Sequence, residues 1–323
     1  MGMREQFLEE YNSAVLASVS LPPELAEKYS VLSCLKDGER QVYLLDSGTE
    51  RAVLKLQPSG LEVSLKLEYE LLLKLSHPQL PRPLAYAEWN GHEYLVREYV
   101  EGASLAELVD ARGPLPPKSV RAAAMSLCRV LQYLHGQAAP AICRDVKPQN
   151  VIMDSAGVCH LIDLGAARMY SSDSREDTVL LGTQATAPPE QYGYQQTDQR
   201  SDIYSLGILM RYLLYGSYER PTADNGSALE RIIRRCTAFD PQNRYSSVSA
   251  VYRTLKHPYL RRGLCAVSAA AVLAAALLAL FWPREDISPL LEEARRRELG
   301  LDAGAGIPSE RLDDVEQLLI CGE

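Results

Sequence analysis

This sequence predicts an α+β fold followed by one membrane-spanning helix, a prediction resting on two ordered motifs and one apolar run. The first motif is Ile142-Cys143-Arg144-Asp145-Val146-Lys147-Pro148-Gln149-Asn150-Val151, which sets Asp145, Lys147 and Asn150 on a single short loop. The second is Asp163-Leu164-Gly165, closing the apolar run Val158-Cys159-His160-Leu161-Ile162. A carboxylate base, a lysine, an amide oxygen and a second carboxylate are the parts that phosphoryl transfer needs. The apolar run is Leu264 to Trp282, nineteen residues without a formal charge.

Further motifs stand around these two in a fixed order. Arg51-Ala52-Val53-Leu54-Lys55 is followed by Leu67-Glu68-Tyr69-Glu70-Leu71-Leu72-Leu73-Lys74-Leu75-Ser76-His77-Pro78. There the apolar positions 67, 71, 72 and 75 repeat at helical spacing. Then come Tyr94-Leu95-Val96-Arg97-Glu98-Tyr99-Val100-Glu101-Gly102, Gly182-Thr183, Ala187-Pro188-Pro189-Glu190, Asp202-Ile203-Tyr204-Ser205-Leu206-Gly207 and Asp240-Pro241-Gln242-Asn243-Arg244. Taken alone, Lys55, Glu68 or Asp163 would pass for a solvated surface charge. In this order the set resembles the eukaryotic-type protein kinases, in particular the bacterial serine/threonine branch. The resemblance implies a two-lobed fold, with a small β-rich N-terminal lobe and a larger helical C-terminal lobe.

It also implies roles. Lys55 would hold the ATP phosphates, fixed by a glutamate on the following helix. Counting back from His77-Pro78 selects Glu68 for that partner, with Glu70 as the fallback. Val42, Gly38 and the hinge residue Glu98 would line the nucleotide, and Asn150 and Asp163 would ligate Mg²⁺, whose hard-oxygen preference they suit. Asp145 would orient the substrate hydroxyl and accept its proton, while Lys147 would neutralise the γ-phosphate. Lys147 and Thr183 resemble serine/threonine rather than tyrosine kinases. Glu190 would pair with Arg244. Arg144 before the catalytic aspartate resembles kinases switched by phosphorylation of the activation segment, where Ser171, Ser172, Ser174 and Thr178 lie among Asp173, Glu176 and Asp177. A flexible polar loop is the other reading of that segment.

The sequence departs from the family at four places. Aligned on Val42, the expected loop glycines fall at Leu35, Asp37 and Arg40, leaving Gly38 as the one glycine present. Backbone amides approach phosphate closely only beside small side chains, so this implies low nucleotide affinity. Cys143 replaces a histidine and Leu164 a phenylalanine. Arg97 stands where the family has an apolar residue, and a buried cation there needs a carboxylate or π partner.

Composition bounds the remaining possibilities. A length of 323 residues suggests about two domains. Hydrophobic content of 46% and charged content of 24% are those of a globular protein. A net charge of −8 argues against a nucleic-acid-binding surface. The seven cysteines form no Cys-x-x-Cys pair, and free thiols in a reducing compartment are expected. Residues 1–28 read as an N-terminal extension with a short helix ending near Leu21-Pro22-Pro23, without a secretory signal. Gln6 defeats the myristoylation pattern after Gly2. The kinase-like domain is expected over 29–260.

Leu264–Trp282 spans roughly 28 Å as a helix, close to a bilayer's hydrocarbon thickness. A buried terminal helix is the alternative. The kinase-like domain precedes it without a secretory signal and needs ATP, which places that side in the cytoplasm. Arg253, Lys256, Arg261 and Arg262 lie before the span with no acidic residue among them, a bias that Arg284 and Arg295-Arg296-Arg297 on the far side weaken. Residues 283–323 then form a short extracytoplasmic tail. Its predicted helices open at Ser288 and Ser309, and it is too small for an independent core. Small residues four apart, such as Ala266 and Ala270, permit pairing in the membrane as a homodimer. The sequence thus predicts a membrane-anchored kinase using ATP and Mg²⁺ on protein serine and threonine. A membrane-tethered pseudokinase, keeping the fold as a scaffold without turnover, is the competing reading.

Overall fold

The computed structural model describes residues 19–169, 186–192, 197–219 and 226–257. They lie within one compact unit, residues 1–260. A one-turn helix, α1 (Pro23–Ala26), opens the described chain with proline at its first position, where a missing N–H costs nothing. The helix therefore starts at Pro23, where a helix was expected to end: residues 19–22 are not helical, and what precedes them lies outside the described residues. The segment expected to be an extension is tied to the lobe, because Tyr94 donates its hydroxyl to the Ser20 carbonyl at 3.0 Å.

Five antiparallel strands form the small lobe: β1 (Ser30–Lys36), β2 (Gln41–Asp46), β3 (Arg51–Pro58), β4 (Pro83–Trp89) and β5 (His92–Glu98), ordered β1-β2-β3-β5-β4. Alternation sorts their side chains. Tyr43, Leu45, Leu54, Leu56, Tyr94 and Val96 pack with Leu25 and Tyr29 in a small core. The opposite face carries Lys55 and receives helix α2 (Leu65–Leu73). Spacing placed that helix over 67–75; it starts two residues earlier because its first turn has two caps. Ser64 Oγ accepts from Lys66 N at 3.0 Å, and the Glu93 carboxylate accepts from Leu65 N at 2.8 Å. Leu75 falls in the turn that leads to Pro78.

The larger lobe is mostly helical: β6 (Ala103–Ser104), α3 (Leu105–Arg112), α4 (Pro117–His135), β7 (Ala141–Ile142), β8 (Val151–Met153), β9 (Cys159–Leu161), β10 (Arg168–Met169), α5 (Gln199–Tyr215), α6 (Ala228–Cys236) and α7 (Val248–Lys256). Helix α4 buries Val120, Ala123, Ala124, Leu127, Leu131 and Leu134, a stripe repeating at three and four residues. Helix α5 is buried over most of its surface from Ser201 to Leu213. Asp198 caps its start and Gly216, at φ 71°, closes it in the left-handed region. Gly207 lets α5 approach α6: an added Cβ would stand 2.7 Å from Cys236 Cβ and from Thr237 Cγ2.

Among the described residues no helix is long and apolar enough to cross a membrane. The predicted span 264–282, the tail 283–323 and most of the N-terminal extension lie outside those residues.

Candidate active site

Strand β3 brings Lys55 to the cleft, where it bridges both lobes. Its ammonium donates to Glu68 Oε1 and Oε2 at 2.7 and 2.8 Å and to Asp163 Oδ1 at 2.8 Å. Of the two candidate partners on α2, Glu68 therefore makes the pair. The Glu68 carboxylate is buried, whereas that of Asp163 is about one-third exposed. Burial opposes every charge here, but its outcome differs by residue. It raises the Glu68 carboxyl despite Lys55. At Asp163 it is outweighed by the Lys55 charge and hydrogen bond and by the Gly165 N–H at 2.9 Å, so that carboxyl lies well below its ordinary value. Burial also lowers the Lys55 ammonium, but Asp163 and Glu68 raise it above the ordinary lysine value.

The loop after β7 presents Asp145. Its Oδ2 accepts from Lys147 Nζ at 2.7 Å and from Asn150 Nδ2 at 2.8 Å. Its Oδ1 is buried with no hydrogen-bond partner among the described residues. This leaves one carboxylate oxygen with unused capacity to accept a proton. Asn150 spends its amide hydrogens on Asp145, so its carbonyl oxygen remains for a cation. Its main chain also adjoins the strand leading to Asp163, as Ile162 N donates to Asn150 O at 2.9 Å. Asn150 and Asp163 thus supply the hard oxygen donors that Mg²⁺ prefers, so the residues fit that ion.

A residue with no role assigned from sequence holds this loop in shape. Asp202, fully buried on α5, accepts from Cys143 N at 2.9 Å, Arg144 N at 2.8 Å and His135 Nε2 at 2.7 Å. Arg144 sits at φ 65°, a left-handed conformation costing a non-glycine residue about 1–2 kcal/mol. Asp202 stabilises it by gripping the two amides there. The available sequence signal was a carboxylate opening an apolar helix, since a buried charge needs partners. Cys143 is itself fully buried; its contribution to this anchor is a backbone amide. Leu164 joins the large-lobe core.

A second unassigned residue positions Glu68. Glu93, buried on β5, accepts from Gln57 Nε2 at 2.9 Å, Ser64 Oγ at 2.6 Å and Leu65 N at 2.8 Å, pinning the start of α2 to the sheet. Glu190 and Arg244 meet in a buried two-point pair at 2.6 and 2.8 Å.

Other predicted residues lie on the margins of the site. Val42 is opposite Lys55 in the β2–β3 ladder. Gly38 sits in the β1–β2 turn at φ 129°, with its N–H on Asp37 Oδ1 at 2.8 Å. Glu98 turns its carboxylate to Arg82, at 3.1 and 3.3 Å, so only its main chain faces the hinge. Arg144 is buried beneath the site, and Gln191 donates to its carbonyl. Ser171, Ser172, Ser174, Thr178 and Thr183 lie outside the described residues. Arg97 is 4% exposed; its Nη1 donates to Glu98 O at 3.4 Å and its Nε has no partner among the described residues.

The family model for the protein kinase domain matches residues 31–240. The chain belongs to the protein kinase family. It is similar to the serine/threonine-protein kinase PknL of Mycobacterium tuberculosis, 32% identical over 209 residues covering 58% of this chain and 52% of the relative. Serine/threonine-protein kinase F of Synechocystis is 28% identical over 292 residues, 77% of this chain and 59% of that protein. PknB of Mycobacterium leprae is 26% identical over 269 residues, 72% and 43%. The chain thus spans about half the length of the curated relatives it matches.

Proposed function

We propose that this kinase transfers the γ-phosphoryl group of ATP to serine and threonine hydroxyls of proteins. The observation carrying this reading is Asp145, with Oδ2 fixed by Lys147 and Asn150 and Oδ1 left to accept a proton. Lys55 holds the phosphates and Glu68 keeps it in place. Asp145 takes the hydroxyl proton while Lys147 faces the charge spreading over the moving phosphoryl group. Mg²⁺, held by Asn150 and Asp163, would neutralise phosphate charge. Purified full-length protein with Mg²⁺ and labelled ATP should label itself or a general acceptor protein, and Asp163→Ala should abolish the label. Equal labelling by that variant ends the proposal.

The β1–β2 turn favours a second reading. Asp37 there engages the Gly38 amide, and three of the family's glycines are absent. A pseudokinase scaffold fits those features. It predicts no thermal shift with ATP and Mg²⁺, whereas the catalytic reading predicts a rise.

Placement at the membrane through residues 264–282, with the kinase in the cytoplasm and pairing through the span, belongs to the same proposal. It is supported by the nineteen uncharged residues and the basic residues before them.

A further inference from the structure

Arg97 stands on β5 opposite Val53, and Leu95 stands opposite Lys55. Cross-strand partners share a sheet face and alternate residues repeat it, so Arg97 and Lys55 point to the same side. Arg97 is therefore a second cation in the cleft, one step nearer the hinge than Lys55. The charges of Glu68 and Asp163 act on it, but both carboxylates hydrogen-bond to Lys55 and neither bonds to Arg97. A guanidinium has five N–H donors and no acceptor. In this one, 4% exposed, among the described residues Nε has no partner and Nη1 reaches only the Glu98 carbonyl, at 3.4 Å. That carbonyl is the last of β5, where the chain enters the crossing between lobes at residues 99–102. The inner end of the cleft thus has surplus donors, and the Glu98 carbonyl already faces one of them.

Resting on the reading of this cleft as a nucleotide site, we infer that Arg97 shifts its base preference toward purines with a 6-oxo group. Guanosine and inosine triphosphates then bind at least as tightly as ATP. The 6-amino group of adenine is a donor, so it meets the guanidinium donors and competes with Nη1 for Glu98 O. The O6 and N7 atoms of a 6-oxo purine are both acceptors, the pattern that arginine pairs with best. A buried polar group that a ligand leaves unpaired selects strongly against that ligand.

The test is displacement of a fluorescent trinitrophenyl adenosine nucleotide from the full-length protein by ATP, GTP and ITP in Mg²⁺, read as Kd. ITP lacks the 2-amino group of guanine, so it isolates the oxygen at position 6. Wild type should bind ITP and GTP with Kd at or below that of ATP. Arg97→Met, similar in length and without donors, should move the ATP-to-ITP ratio toward ATP by about tenfold. Wild type favouring ATP tenfold over both others overturns the inference without any variant. So does a ratio that Arg97→Met leaves unmoved in protein that still melts cooperatively. Strong ATP preference with phosphoryl transfer sinks this inference alone. Inosine preference without transfer upholds it and sinks the catalytic reading.

Discussion

At the scale of single residues, the two Asp145 oxygens differ: one is fixed by Lys147 and Asn150, and the other is buried with no hydrogen-bond partner among the described residues. Asp145→Asn keeps the volume but removes the proton acceptor. Phosphoryl transfer should fall about 10²- to 10⁴-fold, while nucleotide displacement changes little. A fall in nucleotide affinity matching the fall in rate would place Asp145 in ground-state binding instead. Glu68 acts through Lys55. Glu68→Gln leaves a neutral acceptor in the same place, so the lysine stays bonded but is less firmly held. The rate should drop by a smaller factor, about 10- to 100-fold. Because Glu70 makes no pair with Lys55, Glu70→Gln should leave transfer unchanged.

At the scale of elements, two buried carboxylates hold secondary structure in register with the chemistry. Asp202 links α5 to the catalytic loop, and losing its charge weakens three hydrogen bonds at once. Asp202→Asn should cost about 2–4 kcal/mol, read from denaturant unfolding, and transfer should fall as Arg144 leaves its left-handed conformation. Glu93 links β5 to the start of α2. Hydrogen bonds from Ser64, Leu65 N, Gln57 and Tyr86 together outweigh its burial, so the folded protein holds this carboxyl below the ordinary glutamate value. Its stabilisation is therefore complete above the unfolded value, about 4.3, and disappears as pH falls through the lower folded value. Wild type should lose more melting temperature between pH 7 and about pH 3 than Glu93→Gln. Equal losses would show that Glu93 adds nothing to acid sensitivity.

At the scale of the whole molecule, Lys55 is the charged tie between lobes, and Asp163 is its far end. Nucleotide binding at this seam should stiffen both lobes together, giving one melting transition that moves upward with ATP and Mg²⁺. On the proposed membrane placement, residues 264–282 would tether the two lobes. Full-length protein should sediment with membranes, and deletion of 264–282 should release it. In vesicles the intact protein should autophosphorylate faster than this deletion variant at equal bulk concentration, because confinement raises the effective concentration of one kinase domain beside another. Equal rates would remove pairing from the proposal.

The meeting of Asp145, Lys147 and Asn150 was legible from one short, contiguous motif. Asp145, Lys147 and Asn150 share one loop, so their meeting depends on a few backbone angles, which local sequence largely dictates. The two-lobed architecture was legible because those motifs come in a fixed order. The choice between Glu68 and Glu70 needed the structure. They differ by two positions on a helix, so which one faces Lys55 depends on how α2 sits against the sheet. Asp202 showed in sequence only as a carboxylate opening an apolar helix, and its partners and those of Glu93 were unreadable: each serves backbone amides far away in sequence, and amides carry no residue identity. Arg97 stood out in the sequence as a misplaced charge. Only packing of β5 beside β3 could show that Lys55 takes both nearby carboxylates and leaves its donors unmatched. Long-range polar pairing belongs to tertiary structure because it joins groups that share no local pattern.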